Sequence, residues 1–183
     1  MKKYSIFLWI GCLFLLSCNS AQKQKAYLKN ETTKNIARIE KILTNDTTGN
    51  INIAAAYEII KYYSTYSINF PDDSATPEYL FRKANIYNAL NQGKNAIDVL
   101  EKIQKEYPNF HKTGLCLFME ANIYENQLKD LDKARNAYQK FITLYPHHPL
   151  ANDAKVLLEN LGKTPEELFQ SFSKKNDGQT AHR

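Results

Sequence analysis

Few side chains in this sequence are of types that carry chemistry, and each is best weighed against its neighbours. His147 and His148 form the one paired ligand-type feature. A metal site needs three or four ligands converging on a point. Adjacent residues on a turn point in different directions, and the one acid at ligand spacing, Asp153, stands where a helix begins. The pair therefore reads as an exposed turn, and no metal is assigned. Asp72 and Asp73 resemble paired carboxylates for acid–base work. They follow Pro71 in a turn, where Asp bonds its own backbone, and no His accompanies them. Cys116 sits beside an apolar helical stripe, which suits a small buried hydrophobe better than a reactive thiolate. There is no glycine-rich phosphate loop, no Gly-x-Ser-x-Gly and no His-Glu-x-x-His. No catalytic residue and no cofactor is assigned. A cell-envelope hydrolase or metal-dependent enzyme, the alternative function, would have to assemble its site from scattered residues.

The elements that must position these residues come from the rest of the chain. Its 183 residues suffice for one domain with a real core. A 43% hydrophobic and 23% charged composition is that of a globular protein. Twelve Tyr and nine Phe offer large contact areas suited to stacked helices. The chain opens Met-Lys-Lys and runs apolar from Ile6 to Leu16, which is the pattern of a secretory signal over residues 1–17. Eleven helical residues span only about 16 Å, about half a bilayer core. Without Lys2 and Lys3 there remain 22 basic and 19 acidic residues, a net charge of +3. That is too mild for a nucleic-acid partner, and no nucleic-acid-binding motif accompanies it.

Leu15-Leu16-Ser17-Cys18 resembles the lipobox of bacterial lipoproteins. The resemblance implies that Cys18 becomes the first residue and carries acyl chains, making the membrane a partner through the N-terminal lipid. Asn19 stands where an Asp would imply inner-membrane retention. The implied location is thus the periplasmic face of the outer membrane. Residues 18–26 are polar and read as a lipidated N-terminus and tether; Lys23, Lys25 and, just beyond it, Lys29 read as solvated, the alternative being contact with anionic headgroups.

The body repeats. Leu80-Phe81-Arg82-Lys83-Ala84-Asn85-Ile86-Tyr87 matches Leu117-Phe118-Met119-Glu120-Ala121-Asn122-Ile123-Tyr124 at six of eight positions, 37 residues on. Phe70-Pro71, Tyr107-Pro108 and Tyr145-Pro146 recur at steps of 37 and 38. Ala96 and Ala134 each lie twelve residues before their proline. Each unit divides into two helices. Thr76-Pro77-Glu78 is a cap-and-start signal. Leu80, Ala84, Tyr87 and Leu90 form one stripe, Asn91-Gln92-Gly93 breaks the helix, and Ala96, Ile97, Leu100, Ile103 and Tyr107 form a second stripe closed by Pro108. Leu117, Ala121 and Tyr124, a turn near Lys129-Asp130, then Ala134, Tyr138, Phe141 and Tyr145 repeat the plan. The small residues allow close helix approach. Upstream, Ile59, Tyr63, Tyr66 and Phe70 align with a second helix whose partner holds Ile36, Ile39 and Leu43. Past Pro149, Leu150 to Leu161 form a helix closed by Gly162. Thr164-Pro165-Glu166-Glu167 then starts a short helix bearing Leu168, Phe169 and Phe172, and the two helices together are expected to cover the end of the stack.

This pattern resembles the tetratricopeptide repeat (TPR), although no Trp stands near the start of the first helix and no Gly at the small position. The resemblance implies an all-α, TPR-like solenoid of antiparallel helix pairs with a C-terminal capping helix. The helical domain would span 27–172, with its clearest repeats at 77–112 and 113–149 and a disordered tail over 173–183. It also implies a protein-binding scaffold, similar to the TPR lipoproteins of β-barrel assembly or the TPR protein of the Tol–Pal system. Phe81, Asn85, Asn88, Phe118, Asn122 and Glu125 lie about 100° round the helix from the packing stripe, the side that lines the inner groove in such proteins. There Asn would bond an extended peptide and Phe would take an apolar side chain; the alternative is that both phenylalanines pack against the adjacent unit. Oligomeric state is not assigned.

Overall fold

The structure, a computed structural model, describes residues 4–44, 51–164 and 166–170, with side chains from residue 20 onward. The signal segment and Cys18 side chains, Phe172 and the 173–183 tail lie outside the described residues. All regular structure among the described residues is helical. In order the elements are α1 (Tyr4–Thr44), α2 (Ile53–Asn69), α3 (Thr76–Ala89), α4 (Gly93–Glu106), α5 (Thr113–Ile123), a π-helical turn (Tyr124–Leu128), α6 (Leu131–Leu144) and α7 (Ala151–Asn160). Sequence neighbours pack together: α1 on α2, α4 on α5, α5 on α6, and α6 on α7. That is the all-α, paired-helix plan of the TPR-like reading. The chain divides into two compact units, Met1–Lys83 and Ala84–Arg183.

In the first unit, α1 buries Thr32, Ile36 and Ile39, while α2 buries Ala56, Ile59, Tyr63 and Tyr66. The degenerate first pair is therefore present. Asn52 starts α2 by accepting the Ala55 N–H on its side-chain oxygen at 3.1 Å. Arg38 to Glu58 at 2.7 Å joins the two helices, and Lys29 binds Asp73 in the turn beyond α2, the order of an antiparallel pair. The Glu40 carboxylate accepts from both the Tyr63 hydroxyl at 2.7 Å and the Arg82 guanidinium at 2.6 Å. One expectation is corrected here. Residues 18–26 do not form a separate tether; they are helical and continue into α1 without a break. Ala21, Gln22, Lys23, Gln24 and Lys25 are fair helix formers with no Gly or Pro among them, so nothing stops the helix.

The second unit has its core in Leu117, Ala121, Ala134, Ala137, Tyr138, Phe141, Ala154 and Leu161. Ala84, Ala96, Ala121 and Ala134, the residues expected at close helix contacts, are all 0% exposed. Fully burying a side chain the size of Phe141 contributes about 2–3 kcal/mol. The helix closing this core is α7, which ends at Gly162 with φ +81, a conformation that favours glycine. The capping box beyond it forms: the Thr164 hydroxyl accepts the Glu167 N–H, and the Glu167 carboxylate accepts the Thr164 N–H at 2.8 Å. The short helix that follows does not cover the core with Phe169, which is 73% exposed. Of the two helices expected to cover the end, α7 does so, packed on α6.

The three joints at the recurring aromatic-proline pairs share one backbone. Phe70, Tyr107 and Tyr145 each end a helix with φ near −130 and ψ near 55. Each donates its N–H to the carbonyl four residues back, at 2.8–2.9 Å. Two further turn bonds follow at the same spacing, to Asp73 and Thr76, to Phe110 and Thr113, and to His148 and Ala151. Thr76 was expected to cap α3. Its buried hydroxyl instead donates six residues backward to the Phe70 carbonyl at 2.5 Å, while the Thr113 hydroxyl donates to the Phe110 carbonyl at 2.6 Å and, more distantly, to that of Tyr107 at 3.4 Å. The first-turn N–H of α3 is served by the Ala75 carbonyl, so the hydroxyl is available to close the turn.

The two spacings, 37 and 38, have a structural origin. From Tyr87 the chain reaches the start of the next helix at Gln92, whose N–H bonds the Tyr87 carbonyl. From the equivalent Tyr124 it takes one residue more, and the Asp130 N–H bonds the Tyr124 carbonyl. The extra residue is wound into the π-helical turn Tyr124–Leu128, the usual form of a single-residue insertion in a helix. Asn91 and Lys129 both take φ +56 to leave their helices. The wider turn brings Gln127 and Ile123 against Gly93. A Cβ at Gly93 would lie 2.9 Å from both the Gln127 side-chain oxygen and Ile123 Cγ2. Gly93→Ala should therefore destabilise the protein by about 1–2 kcal/mol, against its gain in helix propensity. Chemical denaturation checks the sign, and a stabilised variant would show that the turn has room to yield.

Candidate partner-binding face

The six candidate residues arise from a short helical repeat, and packing has claimed most of them. Phe81 is only 7% exposed, so it is core rather than groove. Phe118 is half-buried, with its ring 6.0 Å from Tyr138 and 5.4 Å from Phe141 between centroids. The expected apolar pockets at these two positions are thus filled by the protein itself. The reason is helical geometry. Phe81 and Phe118 each follow a buried Leu by one residue, and a flanking aromatic is long enough to reach the neighbouring helix.

The polar candidates divide. The Asn88 side-chain oxygen accepts from the Gln127 amide at 2.6 Å, as does the Asn88 carbonyl at 3.0 Å. The Gln127 side-chain oxygen is left buried with no hydrogen-bond partner among the described residues. Glu125 accepts from the hydroxyl of the fully buried Tyr138 at 2.8 Å. Burial, and then the Glu125 carboxylate, push the Tyr138 phenol well above its ordinary range. Asn88 and Glu125 are therefore structural. Asn85 and Asn122 stay half-buried at the same position of successive repeats, each one residue past a fully buried Ala. They recur at the same position of the two repeats, and each already has a partner within the protein, Asn122 the hydroxyl of Tyr138.

The other groups named from sequence are placed as follows. Cys116 is 0% exposed and its thiol is pushed up to about 12 by burial, so it packs as a small hydrophobe. Asp72 is exposed, while Asp73 binds Lys29 and accepts the Ala75 N–H at 2.9 Å. His147 is exposed; His148 accepts the Leu150 N–H on Nδ1 at 3.1 Å and rests edge-on against Phe141. Among the described residues no three His, Cys, Asp or Glu side chains gather as metal ligands would, and no helix is long and apolar enough to cross a membrane.

Sequence reasoning passed over Glu120. It is only 6% exposed on α5, bonded to the Gln104 side-chain amide of α4. Burial, reinforced by the Glu101 charge and opposed by Gln104 and Lys140, pushes its carboxyl up to about 7. The signal was available, since Glu120 falls three residues after Leu117 and hence on the buried stripe. Its burial withholds it from a substrate. Its ionisation instead burdens the fold. The unfolded chain loses this proton near 4.5 and the folded chain near 7, so stability falls as pH rises through that window. Below it both states are protonated and the penalty is absent. Glu120→Gln should stabilise the protein by about 1–2 kcal/mol at pH near 8 and by nearly nothing at pH near 4. Urea titrations at the two pH values check this; equal gains at both would place the carboxylate in a polar setting.

No curated protein matches the chain. The repeated segments do match a family model, that of the tetratricopeptide repeat, over residues 78–109 and again over 115–148. The first match runs from within α3 past the end of α4, and the second from within α5 through the π-helical turn and α6. Repeats of this family bind proteins or peptides, and the two matched segments are similar to them.

Proposed function

We propose that the chain is a lipoprotein, acylated at Cys18 and held on the periplasmic face of a bacterial outer membrane, whose repeats bind a protein or an extended peptide in cell-envelope assembly. The binding part of this reading is carried by one observation. Two consecutive segments, 78–109 and 115–148, match the tetratricopeptide repeat, and each carries a half-buried amide at the same place, Asn85 and Asn122, the latter shared with the Tyr138 hydroxyl. An amide at a fixed period can donate to and accept from a peptide backbone. That suits an extended ligand, whose backbone groups recur regularly. Support for the anchor comes from the apolar stretch Ile6–Leu16 and the Leu15-Leu16-Ser17-Cys18 sequence behind it. Burial of Phe81 and Phe118 removes apolar pockets from the face and leaves recognition to backbone-directed hydrogen bonds.

Two measurements separate the parts of the proposal. A photo-cross-linking residue at Asn122 in intact cells should capture a partner that the same residue at exposed Lys105 does not. Asn85→Ala and Asn122→Ala should each weaken binding of that partner about fivefold, as expected for one hydrogen bond worth about 1 kcal/mol, with helicity unchanged. Capture from Lys105 and not from Asn122 would move the binding surface to α4. Independently, Cys18→Ala should abolish acyl labelling of the chain. Undiminished labelling in that variant would overturn the anchor.

A further inference from the structure

We propose that the outward face of α1 is a second membrane contact, which lies along an anionic phospholipid surface beside the acylated Cys18. The inference rests on the anchor reading above and adds to it a surface, a lipid chemistry and an orientation.

At 100° per residue, Lys23, Tyr27, Asn30, Lys34, Arg38 and Lys41 fall within one narrow arc of α1. All six are exposed. The buried residues of the same helix, Thr32, Ile36 and Ile39, lie on the opposite side. The arc contains four cations and no acid. Residues 20–44 hold six of the basic residues and only two of the acidic ones, whereas the chain beyond residue 44 holds 16 basic and 17 acidic. The positive charge of the chain is therefore concentrated on the helix that follows Cys18. Tyr27, 68% exposed, sits within the arc as an amphipathic ring of the sort that favours a membrane interface.

The structure also sorts the lysines near the anchor. Lys25 lies over the Phe70 ring, 5.8 Å from its centre, and Lys29 binds Asp73. Those two are engaged by the body. Lys23 belongs to the outward arc, together with Lys41 far down the helix. Lys34 and Arg38 pair with Glu31 and Glu58, but in both pairs each side chain is 40% exposed or more. Such pairs are weak and exchange readily for phosphate oxygens. Because α1 is helical through Cys18, the arc starts about 8 Å along the axis from the anchor and extends about 27 Å from Lys23 to Lys41. An acyl group at one end and cations down one side would lay the helix along the surface. Each cation brought near an anionic bilayer strengthens binding about fivefold.

The test uses the full-length lipidated protein reconstituted in phosphatidylcholine vesicles with and without phosphatidylglycerol. A fluorophore is placed at Tyr27→Cys, where buried Cys116 does not compete, and a reference fluorophore at Lys105→Cys. Quenching by a headgroup-region doxyl lipid reports depth. Quenching at position 27 should rise roughly twofold or more when phosphatidylglycerol is present. It should fall back with added salt and in a Lys23→Gln, Lys34→Gln, Lys41→Gln variant, with the reference unchanged. If the protein floats with both vesicles and quenching at 27 ignores lipid charge, the docking is wrong while the anchor stands. If it floats with neither, the anchor and the docking fall together. Protection of position 27 by envelope proteins and not by lipid would give this face to a protein partner and overturn the proposal.

Discussion

Each helix of this chain carries more apolar surface than it can hide alone, so the backbone has to reverse at every helix end. It does so three times with the same dihedrals and the same ladder of turn bonds, at Phe70, Tyr107 and Tyr145. The third residue of the joint differs each time, being Asp73, Phe110 and His148. Two of these use a side chain for the same purpose: Asp73 accepts from the N–H two residues on, and so does His148. Geometry that survives such changes belongs to the backbone and its proline, and the side chains reinforce it. Where Thr is present, at 76 and 113, its hydroxyl ties the joint shut from inside.

The fully buried alanines put backbones close together, and closeness makes polar groups at the same contacts expensive. Glu120 shows the consequence. It adjoins fully buried Ala121 on the α4–α5 contact, where a carboxylate is poorly solvated and Gln104 is its hydrogen-bond donor. The interior holds it nearer the neutral form. Tyr138 and Glu125 resolve the same difficulty differently, through a buried hydroxyl reaching a half-buried acid.

Most of the architecture was legible in the sequence because period and punctuation agreed. Ile36, Ile39, Ile59, Tyr63 and Tyr66 all bury where the stripes put them, and Gly162 closes α7 in the left-handed region that glycine permits. The failures are instructive. Polarity suggested a tether at 18–26, yet polarity without glycine or proline is equally the signature of an exposed helix, and α1 runs through it. The face of Phe81 and Phe118 was read from angle alone. Angle gives the direction in which a side chain leaves the helix, but its length decides whether it reaches the next one: the Phe118 ring meets Phe141 of α6, and Phe81 is buried. Asn88 was lost from the face for a reason no stripe could reveal, since its partner Gln127 comes from the next repeat.

The π-helical turn at Tyr124–Leu128 bears on how such a chain tolerates change in length. A residue added inside an ordinary helix would swing everything after it by about a quarter of a turn and drive the buried stripe toward water. Here the surplus is swallowed before α6 begins, and Ala134, Tyr138 and Phe141 keep the faces that Ala96, Leu100 and Ile103 hold one repeat earlier. The turn that follows is left-handed at Lys129 just as at Asn91, and the mark left by the surplus is one buried amide oxygen, that of Gln127, without a donor among the described residues. Repeats of this construction can thus drift in size one residue at a time while their neighbours stay in step.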